Sequence, residues 1–202
     1  MSMPSISYLT LKKVGRITDF AAERNRLLES AKTDWVFFFD SDEKISPSLK
    51  AEVERRITDP AFSGYFLRRD DVFMGKKLRH GETAHVNLLR LAKKNAGVWR
   101  GRVHEVWEIN GRTGQLKNRL LHRPHQSVRA FLDKINYYTD IGAHRRFSVF
   151  RTVSFPPGKF FQNYILRLGF LDSLPGLVMA FMMSLHSLIS RVKEYESSAH
   201  SN

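Results

Sequence analysis

Apolar positions early in the chain recur at two different spacings. Ile6, Tyr8 and Leu9 open residues 6–14, which read as a short strand with Lys12 and Lys13 near its end. Phe20, Ala21, Leu27, Leu28 and Ala31 fall at helical spacing, and Asp19 stands where an N-cap belongs. Residues 20–31 therefore predict a helix. Trp35-Val36-Phe37-Phe38-Phe39 is an unbroken apolar run of strand length that stops at Asp40-Ser41-Asp42-Glu43. Such a strand is buried on both faces, and its carboxyl end delivers the polar residues that follow to a cleft. Ser46 as cap and Pro47 at the first helical position open a second helix over residues 48–57.

Strand and turn patterns then alternate. Residues 64–73 predict a strand with Tyr65-Phe66-Leu67 as its apolar core, residues 75–81 a basic turn, and residues 85–91 another strand. Residues 97–107 mix Gly, Arg and aromatics and read as loop and strand together. Asn110-Gly111 marks a turn, and residues 116–122 a last short strand. The texture changes at Ser127. Phe131, Ile135, Tyr138 and Ile141 step along one face of a helix over residues 128–144, and Pro156-Pro157 makes residues 154–158 a hinge. The chain thus divides into an α/β region, residues 1–126, and a helical region, residues 127–202.

Between Asp172 and Arg191 there is no Asp, Glu, Lys or Arg, while Leu174, Leu177, Val178, Phe181, Leu185 and Leu188 recur. A spanning helix needs roughly 20 apolar residues. This stretch is just short of that, and it carries Pro175, Gly176, Ser184, His186, Ser187 and Ser190. Ala180, Ser184, Ser187 and Arg191 share one face, and Lys159, Arg167, Arg191 and Lys193 flank the stretch. The reading is an interfacial helix held to anionic lipid by its cationic flanks. A buried core helix and a transmembrane span are the alternatives.

Charge sharpens this. Lys and Arg total 33 against 20 acidic residues, a net charge of +13 and a pI near 10.2. So large an excess seeks polyanions: nucleic acid, anionic headgroups or phosphorylated substrates. The plain alternative is solubility alone. Phe alone supplies 15 residues and aromatics 12%, which argues against disorder. The 202 residues suffice for one domain with a core and an appendage. Cysteine is absent, so no disulfide framework forms and a reducing compartment fits. The first ten residues lack a basic region leading into an apolar one, so the expectation is a cytoplasmic start.

Four constellations carry candidate chemistry. Asp40 and Asp42, at i and i+2 after a buried strand, point the same way if extended geometry continues, and together suit a hard divalent cation, Mg²⁺ or Mn²⁺, that keeps places for phosphate oxygens. Glu105, in Val103-His104-Glu105 after Trp99-Arg100-Gly101-Arg102, is the candidate general base; a carboxylate in a partly apolar setting is tuned upward for that role. A surface glutamate paired with Arg100 or Arg102 is the alternative. His122 and His125, between strand and helix, are placed to complete a metal site or to contact a diphosphate. The scattered basic residues, among them Arg68, Arg69, Lys76, Lys77, Arg79, Arg102, Lys117 and Arg119, divide between phosphate clamps and a solvated basic face.

Taken in order, these segments resemble glycosyltransferase family 2, of GT-A fold, and within it the bacterial branch of lipopolysaccharide-core glucosyltransferase type. The likeness rests on Asp19 to Asn25, Asp34-Trp35 through Asp42-Glu43, Val103-His104-Glu105, Gly114 to Lys117, Leu121-His122, and Gly169 to Asp172 with Pro175-Gly176. It covers most of residues 15–195, and the ordered set is more specific than any single motif. The resemblance implies a GT-A-like, Rossmann-like mixed sheet and a C-terminal helical, membrane-associating tail. It implies inverting transfer from a nucleotide sugar, a UDP-hexose by family expectation, to a glycan or lipid-linked acceptor at the inner face of the cell membrane. Asp40 and Asp42 match the metal and diphosphate motif, Glu23, Arg24 and Asn25 the helix over the donor, and Glu105 the base; beside these, His122 is expected at the metal, Arg102 at the donor, and His104, Lys117 and His125 on the acceptor side.

The chain departs from the family at its start. Members open with a strand of V-V-I-P-x-x-N-E kind and a second strand bearing an aspartate for the nucleotide base, and neither is here. At about 30 residues per βαβ unit, roughly 60 to 90 residues are missing by that comparison. The expectation is an N-terminally truncated sheet, partnered by a missing N-terminal half or left with an unpaired edge. Two further readings stand beside the enzyme. One is a catalytically inactive membrane-associated remnant. The other is a basic nucleic-acid-binding module using the Arg and aromatic residues between Trp99 and Trp107, although the family resemblance leads us to expect no nucleic acid.

Overall fold

The computed structural model of this chain describes residues 3–11, 17–102, 104–124, 127–142 and 147–199. The chain forms two compact units, Met1–Arg69 with Val86–His122, and Asp70–His85 with Arg123–Asn202. The second unit therefore takes in residues 70–85, which the sequence pattern groups with the first region.

In the first unit, strand β1 (Ile6–Thr10) leads through helix α1 (Phe20–Ser30) to strand β2 (Trp35–Phe39). β1 and β2 pair in parallel, Ile6 opposite Trp35 and Thr10 opposite Phe39. A parallel pair needs a crossover, and α1 supplies it. Asp19 caps α1 by accepting from the Ala22 N–H at 2.9 Å. After β2 come a short strand, β3 (Glu43–Lys44), and helix α2 (Pro47–Arg56), capped by Ser46 Oγ accepting from Leu49 N–H. The remaining strands are β4 (Gly64–Phe73), β5 (Lys76–Lys77), β6 (Asn87–Lys93), β7 (Gly97–Arg100), β8 (Val106–Ile109), β9 (Thr113–Gln115) and β10 (Leu120–His122). The main sheet runs β1-β2-β6-β4-β10-β3, with β9 parallel to β4, so it is mixed, and the fold is α/β.

β2 explains the two cores of this unit. Trp35 and Phe37 point to one face, onto Leu49 and Val53 of α2 with Tyr65, Leu67, Leu91 and Leu120. Val36 and Phe38 point to the other, onto Ala21 and Leu28 of α1 with Leu89, Trp99 and Trp107. Period-two alternation between two buried faces makes the whole run apolar.

Residues 97–107 combine strand and loop as their pattern suggests: β7 and β8, separated by loop, form an antiparallel pair, Trp99 opposite Trp107, their rings stacked 5.2 Å apart. Gly97 is required there, since a Cβ would lie 1.9 Å from the Glu108 carbonyl oxygen. One segment of this unit differs from its sequence pattern. Residues 116–122 are not one strand. The Glu52 carboxylate of α2 accepts from Lys117 N–H at 2.9 Å and Asn118 N–H at 2.8 Å, and these bonds break the chain into β9 and β10.

In the second unit, the outer end of β4 pairs with β5, Val72 opposite Lys77. Helices α3 (Val128–Gly142), α4 (Val149–Phe161) and α5 (Ser173–Ala199) complete it. Phe73 and Leu78 of the hairpin pack with Phe131 and Ile135 of α3 and Met179 and Met182 of α5. The expected hinge at residues 154–158 is instead helical, inside α4. Two prolines remove ladder donors, and α5 braces the segment from outside: Ser184 Oγ donates to the Pro156 carbonyl at 2.7 Å, and the Arg191 guanidinium lies 4.5 Å from the Phe155 ring centroid. Tertiary contact overrides propensity.

Candidate active site

The carboxyl end of β2 delivers Asp40 into a ring of charge. Arg24, on the buried face of α1 and 2% exposed, donates from Nη2 to Asp40 Oδ1 at 2.7 Å and from Nε to Glu105 Oε1 at 2.8 Å. Its guanidinium also lies 4.7 Å from the Trp99 ring centroid and 5.6 Å from that of Phe38. Arg90, on β6 and 6% exposed, donates from Nη2 to Asp40 Oδ2 at 2.8 Å and approaches Glu43 Oε1 at 3.4 Å. Arg69 on β4 lies 3.7 Å from the same Glu43 oxygen. Glu43 accepts from the Asp40 N–H at 2.8 Å, which folds the strand end back on itself. Asp40, Glu43 and Glu105 are thus matched by Arg24, Arg69 and Arg90, and a buried cluster of that size persists only when so matched.

Electrostatics follow from this packing. Burial opposes ionisation of Asp40, but Arg90 and Arg24 together outweigh it and bring its pKa down to about 2. Burial likewise opposes the Arg90 cation, and Asp40 and Glu43 beside it reverse the balance and raise its pKa.

The residues singled out by sequence are not all in this cluster. Asp40, Glu105 and Arg24 share one guanidinium. Asp42 lies beside His122 instead, its Oδ1 3.5 Å from Nε2, where β10 pairs with β3. Asn25 holds β7 from α1, its amide nitrogen donating to the Trp99 carbonyl and its amide oxygen accepting from the Trp99 N–H. Glu23 faces away and pairs with Arg26 at 3.1 Å. Arg102 is exposed, and its carbonyl accepts from the Phe20 N–H at the start of α1. His104 is exposed with φ of 58°, a left-handed turn just before Glu105. Lys117 is exposed, its backbone N–H bound by Glu52. Val103 and His125 lie outside the described residues. Glu105 pairs with Arg24, neither in the apolar setting nor with the Arg100 or Arg102 partners that its neighbourhood in sequence suggests; Arg100 pairs with Glu108. Arg90 carries as much of the site as the motif does, and no local pattern marks it as a member; Glu43 stands in the polar run after β2, and Arg69 among the scattered basic residues.

The donor set bears on a cation. Both Asp40 oxygens are engaged by arginines. Among the described residues no three His, Asp or Glu side chains converge as ligands, and Asp42 and His122 form a carboxylate–imidazole pair. One carboxylate and one imidazole are a sparse donor set, which a cation would have to complete with water and substrate oxygens. Arg24 Nη1 and Arg90 Nε are buried beside Asp40 without a hydrogen-bond partner among the described residues. Buried to that degree, they are unsatisfied donors of the cluster itself. Trp99 and Trp107 are 5% and 3% exposed, so they offer no stacking platform for nucleic-acid bases. Compared with protein-family models, the chain matches none.

Proposed function

We propose that the chain is an inverting glycosyltransferase with a GT-A-like sheet, transferring a hexose from a nucleotide-sugar donor, a uridine diphosphate sugar, to a hydroxyl of a cell-envelope glycan or lipid-linked acceptor. The observation that carries this reading is the Arg24 guanidinium. It binds Asp40 at the end of β2 and Glu105 after β7 at the same time, across 81 positions of sequence. A general base and the diphosphate-facing strand end are thereby held in one place.

The chemistry divides among named residues. Glu105 takes the proton of the acceptor hydroxyl as that oxygen forms its bond to the anomeric carbon. The bond from that carbon to the diphosphate breaks on the opposite side, and the nucleoside diphosphate leaves with the electron pair. Arg24 orients Glu105 for this step. Asp42 and His122 would hold the divalent cation, Mg²⁺ or Mn²⁺, whose charge offsets that developing on the leaving diphosphate. Asp40 positions Arg24 and Arg90.

Placement at the inner face of the cell membrane belongs to the same reading. α5 lies within the stretch Gly169–Ala199, which is long and apolar enough to cross a bilayer. An inactive membrane-bound remnant is the second reading, favoured by the arginines on both oxygens of Asp40.

Calorimetric titration with uridine diphosphate tests the proposal. Binding should require Mn²⁺ and weaken about tenfold or more in Asp42→Ala and His122→Ala. Glu105→Gln should bind normally yet lose ~10²–10⁴-fold in turnover. Equal affinity with Mn²⁺ and with chelator would count decisively against it. Normal binding with no transfer to any acceptor would establish the remnant.

A further inference from the structure

The second unit carries an apolar surface that its own core leaves uncovered. On α4, Phe150, Val153, Pro157 and Phe161 recur at i, i+3, i+7 and i+11, one face of a helix, and all are exposed, Phe150 by 75% and Val153 by 69%. On α5, Leu174, Phe181, Leu188 and Val192 likewise share a face and are exposed. The Phe160 and Phe181 rings, 4.6 Å apart, join the two stripes. The other sides of α5 are occupied. Met179 and Met182 pack toward α3 and the hairpin, and Ser184 and Arg191 meet Pro156 and Phe155 of α4.

Charge is arranged around this surface. Lys159 falls about 180° around α4 from Phe150 and so lies on the side away from the apolar stripe. It pairs with Glu82 at 2.7 Å, and Arg167 approaches the same carboxylate at 4.0 Å. The loop before Glu82 is fastened there too, with Gly81 N–H donating to the Arg167 carbonyl and Arg79 and His80 N–H groups donating to the buried Asp172 carboxylate. Ser184 with Pro156, and Phe181 with Phe160, set Lys159 level with the middle of the charge-free stretch of α5.

That level decides the orientation. If α5 crossed a bilayer, the Lys159–Glu82 pair and an irregular loop would sit at hydrocarbon depth, where ionic groups and non-helical backbone are costly. We infer that α4 and α5 lie together in the plane of an anionic bilayer, inserting the Phe150, Val153, Phe161, Leu174, Phe181 and Leu188 surface and keeping the Lys159–Glu82 side in water. The occupant is lipid because the exposed surface is aliphatic and aromatic along both helices, Arg191 borders it over Phe155, and the chain carries +13. This rests on the membrane-peripheral part of the proposed function and is independent of the transferase chemistry.

The absence of cysteine makes the full chain ready for single-site labelling. An environment-sensitive fluorophore is placed at Val153→Cys, Phe161→Cys, Leu174→Cys or Leu188→Cys, with Asp133→Cys on α3 as reference. Phosphatidylcholine–phosphatidylglycerol vesicles carrying quenchers at shallow or deep acyl positions are then added. The expected result is a blue shift at the first four sites, all quenched best by the shallow probe, and none at Asp133→Cys. The paired variant Phe150→Glu/Val153→Glu, altered only at exposed positions, should bind the vesicles about tenfold or more weakly. Depth rising steadily from Leu174→Cys to Leu188→Cys would show a span and overturn the inference. So would α4 labels that stay in water while α5 labels insert, which would leave the membrane reading standing. No binding to the vesicles at all would sink both.

Discussion

A guanidinium as buried as that of Arg90, 6% exposed, is sustained only by the carboxylates beside it. Arg90→Ala would leave Asp40 and Glu43 short of a partner in a site of low polarity. It should cost about 3–5 kcal/mol, the range for breaking one side of a buried ion pair. Urea unfolding measures this, and a change under 1 kcal/mol would show that water already screens the cluster. Asp40 carries a pH dependence of definite sign. Its folded pKa of about 2 lies below the ordinary 3.8, so its contribution to stability is complete above about pH 4 and is lost as pH falls through about 2. Stability measured from pH 5 down to pH 2 should therefore fall, and Asp40→Asn should flatten that part of the curve while lowering it at neutral pH. Arg90 could not be found as a site residue by sequence, because its pairing with Asp40 closes over 50 positions, whereas Glu43 stands in the polar run that ends β2 and bonds the Asp40 N–H three positions away. Asp19 and Ser46 were legible as caps because a cap is bonded within three residues.

At the scale of elements, what depends on local spacing was legible and what depends on a neighbour was not. α1, β2, α2 and β4 stand where their apolar periods place them. The break between β9 and β10 was hidden, because its cause is a carboxylate on α2. So was the course of α4 through Pro156 and Pro157, because the contacts that brace it come from α5. The prolines then become a source of strain in a helix, where as a hinge they would be neutral. Pro157 is exposed, and replacing it by Ala restores an N–H to a helical position without touching the core. Pro157→Ala should stabilise the protein by about 1–3 kcal/mol, seen as a higher midpoint in thermal unfolding. An unchanged or lowered midpoint would mean that the segment is held by the prolines themselves.

At the scale of the molecule, the chain crosses between its two units more than once. The second unit is made of Asp70–His85 together with Arg123–Asn202, and its core needs both pieces. Phe73 and Leu78, 2% and 3% exposed, come from the first piece, and Phe131, Ile135, Met179 and Met182 from the second. A cut at the change of texture before Ser127 looks natural from sequence, but a cut there or after His122 divides this core. Each fully buried side chain of this kind contributes roughly 1.5–3 kcal/mol by leaving water. The excised region would therefore lack two of its anchors, and the fragment 1–122 would carry them uncovered. Expressed alone, that fragment should bind a hydrophobic dye strongly and aggregate. Phe73→Ser with Leu78→Ser should reduce both effects in the fragment, although the same pair of changes should destabilise the full chain. The opposite sign of the two outcomes is what a discontinuous unit requires. A fragment 1–122 that stays monomeric and dye-free without those changes would show that residues 70–85 fold as part of the first unit.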